Sequence, residues 1–159
     1  MMAAVPALMS TQALAQYLHQ QIPMSRTMEV GALEVTMDAV RLSAPLAPNV
    51  NHRATVFGGS ASALAILAAW SLLHVRLRAS FPAVSIVIQR QSTSYNRPIQ
   101  GAFSARAALA QPDDWPRFVR LLARRGKARI TVASTFPITH WPPTSRTTCA
   151  SKTMLSAPA

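Results

Sequence analysis

The apolar positions of this chain change period several times, and each change predicts an element. In residues 10–21, Leu14, Tyr17 and Leu18 fall at i, i+3 and i+4, which predicts a short helix capped by Ser10 or Thr11 and ended by Pro23. Over residues 30–42, Leu33, Val35, Met37 and Ala39 alternate with Ala32, Glu34, Thr36 and Asp38, the two-residue period of a strand with one dry face. Pro45 and Pro48 break that run. Residues 54–73 then contain no charged side chain, and Gly58 and Gly59 open them. Phe81 and Pro82 turn the chain. Residues 84–94 are rich in β-branched side chains, Tyr95 to Pro98 is turn chemistry, and residues 99–109 return as the second strand of a hairpin, with a bulge at Gly101. Residues 113–126 read as an amphipathic helix: Asp113 or Asp114 caps it, Pro116 sits in its first turn, and Gly126 stops it. Its stripe is Trp115, Phe118, Leu121 and Leu122, leaving Arg117, Arg120, Arg124 and Arg125 outward. Residues 127–136 form the last clear strand.

The uncharged stretch is the organising element. A helix with apolar or small groups on every face has no side to show to water and must be enclosed by a membrane, a helical core or a curled sheet. Twenty residues make about 30 Å of helix, long enough to cross a bilayer. The Gly-Gly pair, three serines (Ser60, Ser62, Ser71), and arginines on both flanks argue against a span. Antiparallel strands adjacent in sequence, plus one fully enclosed helix, predict an α+β domain whose sheet wraps that helix. The domain is expected over residues 10–136, after an N-terminal extension of residues 1–9. Residues 137–159 hold four prolines and eight Ser or Thr without sustained periodicity, and are expected to be disordered.

Composition narrows the function. The 159 residues are half hydrophobic and suffice for one domain with a substantial core. One cysteine, Cys149, excludes a disulfide framework, and the four histidines show no ligand spacing, so no metal and no cofactor are expected. No basic leader with a cleavage site precedes the domain, which makes the cytoplasm the default compartment. The net charge of +11 invites nucleic acid, but no basic stripe is interleaved with stacking aromatics, so none is expected as a partner. Only Glu29, Glu34, Asp38, Asp113 and Asp114 are acidic. The central helix therefore brings no carboxylate to any chemistry.

Against this reading, YLHQQIP in the first helix, APLAPNVNH, TVFGGS, the apolar helix through Trp70, and IVIQ followed by Tyr95, Pro98, Ile99 and Gly101 carry a resemblance. The chain resembles the hotdog fold, an antiparallel sheet curled round one long helix, and within it the thioesterase domain at the C-terminus of YiiD-type acetyltransferases. It is more distantly similar to phenylacetyl-CoA-type hotdog thioesterases, whose motif is NxxGxxHGG followed by an acid on the helix. Asn51 stands at the Asn, Gly58 and Gly59 at the GG, Ala54 at the middle Gly, Phe57 at the His, and Ile66 at the acid. The resemblance implies hydrolysis of an acyl-CoA or acyl-carrier-protein thioester by a homodimer or dimer of dimers. The missing acid leaves open a non-catalytic acyl-thioester-binding or scaffold role.

Thioester hydrolysis needs a stabilised tetrahedral oxygen and an activated water. Gly58 and Gly59 at a helix start offer backbone N–H groups backed by the helix dipole, unless the glycines serve only close packing, and Ser60 is a candidate for positioning water, for capping the helix or for a purely structural place. Asn51 and His52 lie just before; His52 is either a general base or a surface side chain. Asn49 and Thr55 are candidates for substrate contact or for turn structure. Phe57 is a candidate pocket wall or a core residue, as is Trp70. Arg124, Arg125 and Lys127 are candidates for the phosphates of coenzyme A or phosphopantetheine, or form a solvated face. Among the acids, Asp38 is the candidate for acid assistance.

Overall fold

The computed structural model describes residues 8–137 and the backbone of residues 151–158. Helix α1 (Thr11–Gln21) starts where expected: the Ser10 hydroxyl accepts from the Ala13 N–H at 3.1 Å, and Leu14 and Leu18 are fully buried. Pro23 does more than end it. It occupies the first turn of a five-residue helix α2 (Pro23–Thr27), where a missing N–H costs nothing.

The stretch expected as one strand is a hairpin, β1 (Gly31–Val35) and β2 (Ala39–Ala44), paired antiparallel. Its turn contains neither Gly nor Pro. The Thr36 hydroxyl builds it instead, accepting from the N–H groups of Asp38 and Ala39 and donating to the Ala39 carbonyl. The polar–apolar alternation runs through this turn without a break, which hid it.

Helix α3 (Gly58–Leu77) follows, then β3 (Val87–Thr93), β4 (Phe103–Leu109), α4 (Trp115–Arg125), β5 (Lys127–Thr135) and β6 (Ser151–Pro158). All six strands form one antiparallel sheet in the order β1-β2-β4-β5-β6-β3. Two expectations are corrected here. β3 and β4 are not a hairpin, because β3 pairs with β6 at the far edge and β4 lies between β2 and β5. The intervening residues 94–102 cross over the start of α3, where the Val56 N–H donates to the Ile99 carbonyl at 2.8 Å. Gly101 has φ 78 in the turn before β4, so its freedom serves that turn and not a bulge. The second correction concerns the residues after Phe136, which include β6, paired with β5 on one side and β3 on the other. Residues 1–7, 138–150 and 159 lie outside the described residues, so the extension and most of the expected tail are not addressed.

The sheet wraps α3. Val40, Leu42 and Ala44 of β2, Phe103, Ala105, Ala107 and Leu109 of β4, and Ala128, Ile130 and Val132 of β5 are buried with Leu64, Leu72, Leu73 and Leu77 of the helix. Small side chains at 105, 107 and 128 let the helix lie close to the strands. Each buried leucine contributes about 1.5–3 kcal/mol of transfer free energy. One polar tie joins the layers: the buried Ser134 hydroxyl donates to the Ala65 carbonyl at 3.0 Å. α3 is long and apolar enough to span a bilayer, but 61% of an 18-residue apolar window within it is buried inside the fold, as a core helix requires. α4 packs its Phe118 and Leu122 into the same core and ends at Gly126, which adopts φ 67. Asp113 and Asp114 form a 3-10 turn before it, and no side-chain cap bond is made.

Because β6 is, among the described residues, the one strand joining β3 to the rest of the sheet, its removal strands β3. A chain ending at Pro137 should melt at least about 10 °C below the full chain, the equivalent of a few kcal/mol at roughly 2–4 °C per kcal/mol. An unchanged transition would show that β6 adds nothing to the fold.

Candidate functional site

The loop from Asn49 to Phe57 is organised by two asparagines with different tasks. Asn49 is 1% exposed. Its Nδ2 donates to the carbonyls of Met28 (3.0 Å) and Pro45 (2.8 Å), and its own carbonyl accepts from the Phe57 N–H at 2.7 Å. It pins the loop to the α2–β1 turn, in keeping with the turn role weighed for it beside substrate contact. Asn51 folds the loop on itself. Its Nδ2 donates to the Thr55 hydroxyl (2.9 Å) and the Val56 carbonyl (3.3 Å), while Oδ1 accepts from the N–H groups of Arg53 (2.8 Å) and Thr55 (3.2 Å). Thr55 is thereby the partner of Asn51. Ala54 sits at the tip with φ 57, a left-handed conformation that disfavours a side chain. His52, beside it, is exposed.

This loop delivers the chain to the start of α3. Phe57 is the N-cap and makes no side-chain cap bond, so the first amides of Gly58, Gly59 and Ser60 have no partner within the helix. The glycines turn out to accommodate aromatic rings and not strand backbone. A Cβ on Gly59 would collide with the ring of Phe57, which folds back over it while remaining 57% exposed. Gly58 lies under Tyr95, whose ring would stand 3.5 Å from an added Cβ and whose hydroxyl donates to the Gly58 carbonyl at 2.7 Å. One turn further on, the Ser62 and Thr93 hydroxyls lie 3.4 Å apart, and Gln91 Nε2 donates to Thr93 Oγ1. Tyr95, Ser62 and Thr93 were missed from the sequence: Tyr95 read as part of a turn, and only the crossover of residues 94–102 brings it to the helix.

The other candidates lie elsewhere. Lys127 pairs with Pro158 and Ser134 with Ser151, so β5 runs its length between them, about 23 Å at roughly 3.3 Å per residue. Thr93, which also pairs with Ser151, marks the Gly58 end. Arg124, Arg125 and Lys127 are exposed at the opposite end, and one chain does not join them to Gly58 and Gly59. Asp38 is also remote, since its charge acts on Arg76 in the last turns of α3. Glu34 is held by Arg106 at 3.0 Å. Ile66 occupies the helix itself, so no carboxylate of α3 reaches the loop. Among the described residues, no three His, Cys, Asp or Glu side chains form a metal-holding group.

At the far end of α3, His74, Tyr17 and Trp70 form a three-ring cluster, with His74 4.5 Å from Tyr17 and 5.0 Å from Trp70 between ring centroids, and Tyr17 6.2 Å from Trp70. Trp70 is half-buried, packs against the core and donates from Nε1 to the Ile86 carbonyl at 3.2 Å.

Comparison with known proteins agrees with this architecture. The model of the family described as "Putative thioesterase (yiiD_Cterm)" matches residues 11–140. A solved protein of unknown function from Chlorobaculum tepidum TLS superposes with a TM-score of 0.82 at 23% identity, over 92% of this chain and 93% of its own. A "putative thioesterase" from Shewanella oneidensis gives 0.73 at 23% identity, over 94% and 96%. A protein from Pseudomonas aeruginosa described as a "probable thioesterase" gives 0.72 at 21% identity, over 94% and 96%. At these identities the likeness establishes the hotdog fold.

The left-handed Ala54 is a local cost at the tip of the site. Ala54→Gly should stabilise the protein by about 1 kcal/mol, less the extra freedom glycine gives the unfolded chain. Thermal melting measures it; a destabilised variant would mean that the tip is not held in this conformation.

Proposed function

The chain belongs to the putative-thioesterase family whose model spans residues 11–140, and from that premise we propose that it hydrolyses an acyl thioester of coenzyme A or an acyl-carrier protein at the Gly58 end of α3. The observation that carries the reading is the uncapped helix start: the amides of Gly59 and Ser60 have no side-chain partner at the N-cap and lie at the positive end of the helix dipole. A thioester carbonyl placed there would develop its negative charge against those N–H groups. His52 would take a proton from water as that water adds to the carbonyl carbon, and return it as the C–S bond breaks. The products are a carboxylate and a thiol, and water is the only co-reactant. Asn51 serves by holding the loop, Thr55 by completing it, and Phe57 as the wall that the acyl group meets.

The assembly follows from the sheet edge. Among the described residues β3 has a strand neighbour on one side only, and its Val87 and Ile88 are 46% and 37% exposed. Such an edge invites pairing with a second copy. Antiparallel pairing of two β3 strands would set the Val87 end of one beside the Thr93 end of the other. The basic end carrying Arg124, Arg125 and Lys127 would then approach the partner's helix start, where it suits the phosphates of coenzyme A or phosphopantetheine. A homodimer, or a dimer of dimers, in the cytoplasm is the assembly this reading takes.

One observation favours a second reading, a non-catalytic acyl-thioester-binding scaffold. Ile66 stands where relatives carry the helix acid, Asp38 lies at the other end of α3, and Glu34 is committed to Arg106.

A panel of acyl-CoA thioesters with free-thiol detection separates the two. His52→Ala should lower kcat about 10²-fold with the melting temperature unchanged. Asn51→Ala should lower turnover comparably and also lower the melting temperature, because it dismantles the loop. Gly59→Val should be worse than either, since it displaces the Phe57 ring. Wild type that binds acyl-CoA, hydrolyses none of the panel and loses no affinity in the Asn51 and His52 variants would establish the scaffold.

Ile88→Lys tests the assembly at the open edge. Sedimentation should move from dimer toward monomer, and thioester turnover should fall with it. A wild type that is monomeric at micromolar concentration would remove the two-copy site.

A further inference from the structure

The last turn of α3 and the segment leading into β3 border a half-open cavity of about 190 Å³, lined by His74, Leu77, the exposed Arg78, Phe81, Pro82, Val84 and Ile86. It lies at the opposite end of α3 from Gly58, about 28 Å away along a 20-residue helix. It is therefore distinct from the helix start. Its walls are built by backbone. The N–H groups of Ser80 (3.1 Å) and Phe81 (2.7 Å) both donate to the Leu77 carbonyl, and the Val84 N–H donates to the Phe81 carbonyl at 3.1 Å. The Trp70 bond to the Ile86 carbonyl ties the far wall to the helix.

The lining divides by chemistry. Leu77, Phe81, Pro82, Val84 and Ile86 are apolar; His74 and Arg78 are the two residues with nitrogen-bearing side chains. Both lie one turn apart on the same side of the helix end. Among the described residues, neither the His74 ring nitrogens nor the Arg78 guanidinium makes a hydrogen bond. His74 stacks against Tyr17 and against Trp70, contacts that orient the imidazole without a ligand. The negative end of the helix dipole opposes an anion here, an effect reduced where the carbonyls of His74 and Leu77 accept from the N–H groups of Arg78 (3.0 Å), Ser80 and Phe81. The full charge of Arg78 then dominates. The volume is below the roughly 300–1,000 Å³ of pockets that take drug-sized molecules, which restricts the occupant to something small.

We propose that this cavity is a binding site for a small monocarboxylate with an apolar body, the carboxylate meeting Arg78 and His74 and the hydrocarbon meeting Leu77, Phe81, Val84 and Ile86. Burial, and secondarily the charge of Arg78, hold the His74 imidazole below its ordinary pKa, so the free site presents a neutral ring beside a fixed cation. A carboxylate supplies the counter-charge that this pair lacks. An acid of this kind is also what thioester hydrolysis releases, so a short-chain product could occupy the site, yet binding here needs no turnover at the other end of α3.

The experiment reads binding directly. Hexanoate is titrated into the full-length protein while the His74 imidazole resonances are followed by NMR, with hexan-1-ol and hexylamine as controls. Hexanoate should shift those resonances saturably with a Kd of about 1 mM or tighter, and the alcohol and amine should bind at least about tenfold more weakly. Arg78→Gln should weaken hexanoate by about tenfold or more. Val84→Phe, which fills the cavity, should abolish binding with melting within a few degrees of wild type. No saturable shift, equal binding of hexanoate and hexan-1-ol, or hexanoate affinity that survives both substitutions would overturn the proposal. A protein that binds hexanoate without hydrolysing any thioester would leave this site standing and remove the hydrolase reading; the converse result would do the opposite.

Discussion

Everything in this molecule answers to the enclosure of α3. A helix without a polar face cannot rest on a core; it has to be inside one. The sheet meets that demand by curling, and it curls closely because Ala105, Ala107 and Ala128 present little bulk to the helix while Val40, Leu42, Ile130 and Val132 fill the gaps between its leucines. The strand order follows from the same need. β4 and β5 run under the helix, β2 and β1 extend the sheet on one side, and β6 carries it on to β3 on the other. The functional loop is a by-product of this geometry. A chain that must enter the middle of a curved sheet as a helix has to arrive through a tight connection, and residues 49–57 are that connection.

The enclosing fold was legible because it rests on side-chain pattern; the errors fall where backbone or local polar groups decide. The β1–β2 turn is made by one threonine hydroxyl, and since the alternation of residues 32–39 continues through it, no Gly or Pro announces it. β3 and β4 read as a hairpin because strands adjacent in sequence usually pair. What overrides that habit is the crossing of residues 94–102 over the start of α3, fixed by a backbone bond from Val56 and by the Tyr95 hydroxyl. β6 is the clearest case. Its eight residues include only Met154 and Leu155 as large apolar side chains, so no stripe marks it. It is held by main-chain pairing along both edges, an interaction that sequence composition barely records.

At the site, the motif was visible and its internal division of labour was not. Asn49 and Asn51 are the same residue type two positions apart, both plausible ligands for water or substrate. Only the structure separates them: one is sealed against the Met28 and Pro45 carbonyls, the other spends its amide on Thr55, Val56 and Arg53. The glycines show the same limit. Their presence at a helix start suggested close approach of something, and the something is a pair of rings, Phe57 over Gly59 and Tyr95 over Gly58. Tyr95 comes from 37 residues further along the chain, a contact set by topology and out of reach of motif reading.

The distribution of charge completes the argument about mechanism. Each acid near the fold's working parts has a place: Glu34 serves Arg106 at the outer strands, Asp38 faces Arg76 at the far end of α3, and Asp113 and Asp114 form the turn before α4. A hydrolase built on this loop therefore cannot lean on a carboxylate of its own helix to activate water. Under the proposed reading, what remains is the field of the helix start, which would act on the oxygen that gains charge, and the exposed His52 imidazole of the preceding loop. These two do different work: the amides lower the barrier for any nucleophile, the imidazole only for water that it can reach. Chemistry of this kind keeps a measurable rate when the base is lost and collapses when the helix start is blocked. The ring of Phe57 lies over that start and half in solvent, so in the proposed reaction a thioester would have to pass it to meet the helix amides.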